Sequence, residues 1–240
     1  MKILCISDTH RKHSELTIVP CDVLIVCGDV CISGTIEQVQ SFADWLMQES
    51  DKFRKVILVP GNHDYPFVNH KTKCLLIFEA ALSDKFIYLQ DSSCIIDDVK
   101  FYGSPWHPEH GSGAFSLPRG KKLRSVWKKI PEDVDVLITH CPPFGVGDRV
   151  YSNHAGCIEL LCRIKQLHSL GLHVFGHVHP GNGTYICDEF PGTKFCNASV
   201  CDNDYQAKQQ GYLFTHIPDG LNKFTTALAV DLRKKHDTEN

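Results

Sequence analysis

Short apolar runs recur along this chain, and each gives way to residues that can bind a metal. Asp8 and His10 close the run KILCIS, Asp29 closes VLIVCG, and Asn62 and His63 close VILVPG. His140 closes VLIT, and His177 and His179 close LHVFG. In order, the motifs are D-x-H, G-D, G-N-H-D, T-H and G-H-x-H. Apolar runs of this length predict buried strands, and in an α/β fold the loops beyond the strand ends line the functional crevice. Loops that carry carboxylate, carboxamide and imidazole there predict one site with a pair of divalent cations.

The intervening segments fit that class. Strands are predicted at 2–7, 23–27 and 56–59. Between the last two, Thr35-x-x-Gln38 has the form of a capping box, and Ile36, Val39, Phe42, Ala43, Leu46 and Met47 follow at helical spacing. A second helix is expected at 71–83. This alternation predicts a parallel sheet covered by helices. Shorter strands follow at 86–89, 94–96 and 100–102, the last two joined by the turn Asp97-Asp98-Val99. Residues 103–120 predict a long ordered loop anchored by Trp106, Phe115 and Leu117. A strand at 134–139, a helix at 156–170 stopped by Gly171, and a strand at 172–176 come next. The remainder is mostly β, at 184–187, 194–198, 211–217 and 226–232. With no repeat or linker, one domain over 1–232 is expected, with a loose tail at 233–240.

Bulk properties exclude several classes. The net charge is −3 and no strongly basic stretch occurs, so duplex nucleic acid is not an expected partner. An anionic substrate has to be attracted locally, by metals. Twelve cysteines in 240 residues fall short of a disulfide scaffold, and several, such as Cys5 and Cys27, lie inside apolar strands. Only a short apolar run precedes Asp8, no stretch is long enough to cross a membrane, and no lipidation box is present. A reduced, cytoplasmic protein is expected. The oligomeric state is not legible.

Two cations about 3.5–4 Å apart need separate ligand sets and a shared carboxylate. Residues two apart in a strand share a face, so Asp8 and His10, and likewise His177 and His179, are expected to point the same way. Gly28 leaves room beside Asp29 for the metals to approach the backbone. Asn62 offers a neutral oxygen, or is simply a turn former. His63, beside it, is the candidate proton donor to a leaving alkoxide, or else a structural or substrate-orienting residue. Asp64 is the candidate that orients from behind. His13, Arg119 and Arg149 are candidate substrate contacts, with a solvated loop residue and surface ion pairs as the alternatives. His107 and His110 divide evenly between rim and site.

The five motifs together resemble those of the calcineurin-like metallophosphoesterase superfamily, from Asp8 to His179. That resemblance implies a four-layer αββα sandwich of two mixed sheets. It assigns Asp8, His10, Asp29 and His179 to one metal, and Asp29, Asn62, His140 and His177 to the other. A hydroxide bridging the two would be the nucleophile. The stretches SDTH, FADWL, GNHD, IYLQDS, FYGSPW, LPRG, THCPPFG, GCIELL, HVFGHVH and NAS are similar to the metallophosphoesterase-domain-containing (MPPED) subfamily. Its members are associated with phosphodiester hydrolysis, cyclic nucleotides included. Some carry glycine where His177 stands here, so the resemblance implies an intact second site. The expectation is therefore a dinuclear phosphodiesterase of small substrates with His63 as general acid. Mn2+ is the expected metal, and Fe, Zn or Mg suit the same ligands. The alternatives are a phosphomonoesterase or protein phosphatase, a nuclease, or a non-catalytic metal-binding scaffold. Val30-Cys31-Ile32-Ser33-Gly34 after Asp29 lacks the arginine of the protein phosphatases.

Overall fold

A computed structural model describes residues 1–218, 223–225 and 227–234. Two six-stranded mixed sheets form its centre. The first runs, edge to edge, Leu228–Val230, Gly211–Thr215, Lys2–Ile6, Val23–Val26, Lys55–Leu58 and Phe86–Tyr88. Its last four strands are parallel. The second runs Gly183–Ile186, Lys194–Asn197, Leu172–Phe175, Val136–Thr139, Val99–Ser104 and Ser92–Ile96, with the middle four parallel.

Alternation along each strand divides the apolar side chains among three cores. Ile3, Cys5, Val23, Ile25 and Ile57 face Phe101, Val136, Ile138, Leu172 and Val174 between the sheets. Leu4, Ile6, Leu24, Val26 and Leu58 face outward, beneath the helices Ile36–Gln48 and Lys71–Leu82. Tyr102, Leu137, Phe175 and Phe195 are covered by Leu123, Trp127, Leu160 and Ile164 of the helices Lys121–Trp127 and Ile158–Ile164. The layers are therefore αββα. Strands buried on both faces explain why the sequence shows continuous apolar runs instead of alternation. Phe42 is fully buried, and its replacement by alanine costs about 3–5 kcal/mol on the scale of such core truncations.

Several local expectations are refined. Asp97 and Asp98 both adopt positive φ between the paired residues Ile96 and Val99, which is a tight two-residue hairpin. Thr35 makes no side-chain cap. Gln38 instead accepts from the Ile32 and Ser33 amides and ties the preceding turn to the helix. The helix Lys121–Trp127 lies just beyond the expected loop, although Leu123, Val126, Trp127 and Ile130 carry the period that signals it. The helix expected to reach 170 ends at Ile164, and tighter turns carry Leu167 and Leu170 into the core. Within 103–120 the strand continues to Ser104, and His107–Pro108 pairs with Ser116–Leu117.

At the chain end, Arg233 bridges to Leu16 and the Lys234 amide donates to Glu15. Residues 235–240 of the expected tail, and Thr226 of the expected last strand, lie outside the described residues. Among the described residues no helix is long and apolar enough to cross a membrane. All twelve cysteines are free thiols.

Candidate metal centre

The parallel strands of both sheets end on one side of the molecule, where Ser7 and Ser199 bridge the two sheets. Beyond those ends the backbone turns sharply. Asp8, His10, Asp29 and His177 have φ of 53°, 41°, 55° and 70°. Left-handed backbone costs a non-glycine residue about 1–2 kcal/mol, and such outliers gather at functional sites. Asp8 and His10 converge on one cluster, as expected, but they do so from left-handed turns past the end of their strand and not by alternation within it. His177 and His179 join different clusters, as the family assignment implied. Gly28 does not clear space for a metal either. A side chain there would strike the Gly61 backbone, and one at Gly61 would strike the Asp29 carboxylate, so the pair lets two loops touch.

Two groups of ligand atoms result, each within 4.8 Å: Asp8, His10 and His179, and Asp29, His140 and His177. Asp29 Oδ2 lies 3.8 Å from His10 Nε2 and 3.5 Å from His140 Nε2, between the groups. Asn62 Oδ1 stands 2.8 Å from His140 Nε2. The loop carrying Asp29 is held from behind by Asp64. Its carboxylate accepts from the amides of Asp29 and Gly61 at 2.8 Å and Cys31 at 3.0 Å. Asp64 thus orients Asp29, not its neighbour His63.

The donor chemistry fits divalent cations. Nδ1 of His10, His140 and His179 donates to the carbonyls of Cys31, Cys27 and Asp202 at 3.0, 2.7 and 2.9 Å. Carbonyls only accept, so the proton on Nδ1 is fixed, and a cation that displaces any proton from Nε2 meets that nitrogen's lone pair, the arrangement found behind metal-bound histidines. His10 and His179 Nε2 face each other at 3.1 Å, which is repulsive without a positive charge between them. Asp8 Oδ1 is buried without a hydrogen-bond partner, and such an atom is costly unless a cation satisfies it.

The titration shifts express the same demand. Burial alone would raise the Asp8 and Asp29 carboxyls. The surrounding imidazoles, His179 foremost, hold Asp8 far below the usual range by their charge, and His140 does the same for Asp29. Burial works against charge on His140, yet Asp29 and Asp8 raise it to about 9. His177 goes the other way, to about 3, through burial and the neighbouring His140 and His107. Burial and the adjacent Asp29 carboxylate raise Asp64 to about 6.

Residues 1–181 match the family model for calcineurin-like phosphoesterases. The chain belongs to this family. It is 35% identical to human metallophosphoesterase domain-containing protein 1, across 85% of this chain and 68% of that protein. It is 32% identical to UPF0046 protein K07C11.7 of Caenorhabditis elegans, across 91% of this chain and 76% of that one. The crystal structure of TT1561 of Thermus thermophilus shares the fold, with a TM-score of 0.59 at 13% identity over 88% of this chain and 92% of that one. The protein is therefore a hydrolase of the metallophosphoesterase class, with two candidate His/Asp metal sites.

Around the centre of this phosphoesterase lies a cavity of ≈ 230 Å³, lined by Asp29, Asn62, His63, Val150, His177, Val178, His179, Pro180, Asn203 and Tyr205. His63 donates from Nδ1 to the Ile32 carbonyl at 2.7 Å, which leaves Nε2 free, and its amide binds Asp29 Oδ1 at 2.8 Å. His13 is not there. It is buried against Phe42 and Trp45 and bonded to Ser41. Arg119 is also elsewhere, donating to the Gly156 carbonyl. Arg149 is exposed on a short ribbon with His154, and only its neighbour Val150 lines the cavity. His107 is buried behind His177, ring centroids 5.5 Å apart, and bonds the Pro108 and Ala114 carbonyls. Sequence reasoning missed Val150, Asn203 and Tyr205. They lie outside the motifs, and no spacing marks them.

Proposed function

We propose that this protein is a two-metal phosphodiesterase of small substrates, cyclic nucleotides among the candidates, acting as one domain over 1–232 in a cytosolic setting. Asp8, His10, His179 and Asp29 would hold one cation, and Asp29, Asn62, His140 and His177 the other. Manganese heads the candidates, because imidazole and carboxylate together suit it, although iron, zinc and magnesium share the donor preference in part. Bound there, the metals supply Lewis acidity toward the phosphoryl oxygens and lower the pKa of a bound water toward neutrality.

The chain's own residues do the rest. The carbonyls of Cys31, Cys27 and Asp202 fix ring orientation before substrate arrives, so little reorganisation remains during reaction. His63, anchored through Nδ1 at the edge of the cavity, keeps the other ring nitrogen for delivering a proton to the departing ester oxygen.

One observation carries the diester over the monoester: no lysine or arginine lines the cavity among the described residues. A phosphomonoester carries about −1.5 to −2 at neutral pH, and arginine or lysine clamps commonly meet that charge. A diester carries a single charge, which two cations can balance alone, and it brings a second ester group for the apolar walls at Val150 and Pro180. Bis(p-nitrophenyl) phosphate and p-nitrophenyl phosphate share a leaving group. The diester should show the higher kcat/KM with saturating metal, and preference for the monoester would overturn the reading. A panel of 2′,3′- and 3′,5′-cyclic nucleotides then narrows the substrate.

A further inference from the structure

Tyr205 stands out among the cavity residues that the metal chemistry does not use. Its ring lies edge-on to three imidazoles of the centre, with centroids 4.7 Å from His10, 5.4 Å from His179 and 6.4 Å from His63. Its backbone has φ 56°, an uncommon conformation for an aromatic residue. The turn bearing it is closed by Asp202. That carboxylate accepts from the Asp204 and Gln206 amides at 3.0 and 2.9 Å, and the Asp202 carbonyl accepts from the Tyr205 amide at 3.0 Å. The same carbonyl accepts from His179 Nδ1. The ring is thus registered against the metal centre through a continuous hydrogen-bonded turn.

Despite those contacts Tyr205 remains 40% exposed, and it forms one wall of the cavity together with Asn203. Val150, Val178 and Pro180, which bear no charge, line the same cavity. At ≈ 230 Å³ the cavity is small beside the ~300–1,000 Å³ of ordinary ligand pockets. It has room for a phosphoryl group and one ring-sized substituent.

We infer that Tyr205 and the Val150–Pro180 wall form a binding subsite for one planar aromatic ester group of the substrate, an aryl ring or a nucleobase. The inference deepens the diesterase reading of the same site and rests on it. The exposed face of the ring packs on the substituent, and the turn at Asp202 sets its distance from phosphorus. Small alkyl esters reach the metals without that contact. Tyr205 is a specificity residue, and its effect falls on binding.

Binding of phenylphosphonate and methylphosphonate, whose C–P bonds are not hydrolysed, measured by calorimetry on the metal-loaded full chain, tests this without turnover. Tyr205→Ala should weaken phenylphosphonate about three- to tenfold, the scale of one aromatic contact, and leave methylphosphonate unchanged. Tyr205→Phe should bind both like the parent. Bound metal, measured by elemental analysis, should be equal in all three proteins. Equal weakening of both ligands overturns the subsite, as does no change in either. Loss of metal from Tyr205→Ala overturns it too, because the ring would then be a shield over His10 and His179. Parent rates on the mono- and bis-aryl esters judge the diesterase reading separately.

Discussion

The two halves of the metal centre are built to different standards. Around Asp8, both histidines are fixed by carbonyl acceptors and the carboxylate is fully buried. Around His140, one imidazole is fixed in the same way, but the His177 ring makes no hydrogen bond among the described residues and is held between the rings of His140 and His107. Asn62 brings a neutral oxygen there instead of a charge. Orientation by outer partners is worth about 10–100-fold in metal affinity. The half that lacks one such partner and has a weaker donor should release its metal first. Asp29 Oδ2 stands between the halves, 3.8 Å from His10 Nε2 and 3.5 Å from His140 Nε2, so under the proposed ligand sets the difference between them acts through a single carboxylate.

The largest expected effect is therefore at Asp29. Asp29→Ala should empty both halves and lower kcat by more than about 100-fold, beyond what loss of an outer partner does. Elemental analysis showing one metal retained at full occupancy would mean that the halves are independent. Next is His63, which belongs to neither half as a ligand. His63→Ala should keep both metals and lose roughly 100-fold in kcat. The loss should be greatest for alkoxide leaving groups and least for p-nitrophenolate, and a uniform loss across leaving groups would remove the proton-donor role.

Chelation gives the direct test of the asymmetry. Under limiting chelator, one equivalent of metal should leave before the other. His177→Ala should weaken that first-leaving metal about tenfold, with most activity restored by excess metal. Simultaneous release of both would erase the distinction between the halves.

The smallest effect concerns what stands behind His140. His173, fully buried, bonds the Thr139 hydroxyl at 2.8 Å, and burial pushes its imidazole down to about 3. Its folded pKa lies below the unfolded value near 6.5. Its contribution to stability is therefore complete above about pH 6.5 and is lost progressively as pH falls toward about 3. His173→Gln removes the titration. In urea unfolding, the stability difference between parent and variant should shift against the parent as pH drops through that window. A difference independent of pH would show that this support does not titrate.

Much of the site was legible because its residues sit in short motifs, each immediately past an apolar run. A run of four or five apolar residues marks a doubly buried strand, and a ligand just beyond it has little freedom to point elsewhere. No apolar run points His13 or Arg119, the loop candidates for substrate contact, and neither lines the cavity. Each is close in sequence to the motifs or to a promising loop, yet His13 turns under the helix Ile36–Gln48 and Arg119 turns toward Gly156. Polar residues in loops follow whichever partner is nearest in space, and sequence does not record that distance. Tyr205 was hidden for a related reason. It enters the cavity through a left-handed turn whose signal is a few polar residues.

The order of apolar runs and ligand residues determined by itself that this chain is a layered α/β protein with a candidate metal centre at the strand ends. Those features depend on burial and on donor chemistry, both of which are properties of residue types. Tertiary structure alone decided the left-handed backbone at Asp8, His10, Asp29 and His177, and the placing of Asp64 behind Asp29. It also decided that uncharged residues such as Val150, Val178 and Pro180 wall the cavity where a lysine or arginine could have stood. These depend on contacts between loops far apart in the chain, and only packing the two sheets together brings such loops within hydrogen-bonding distance.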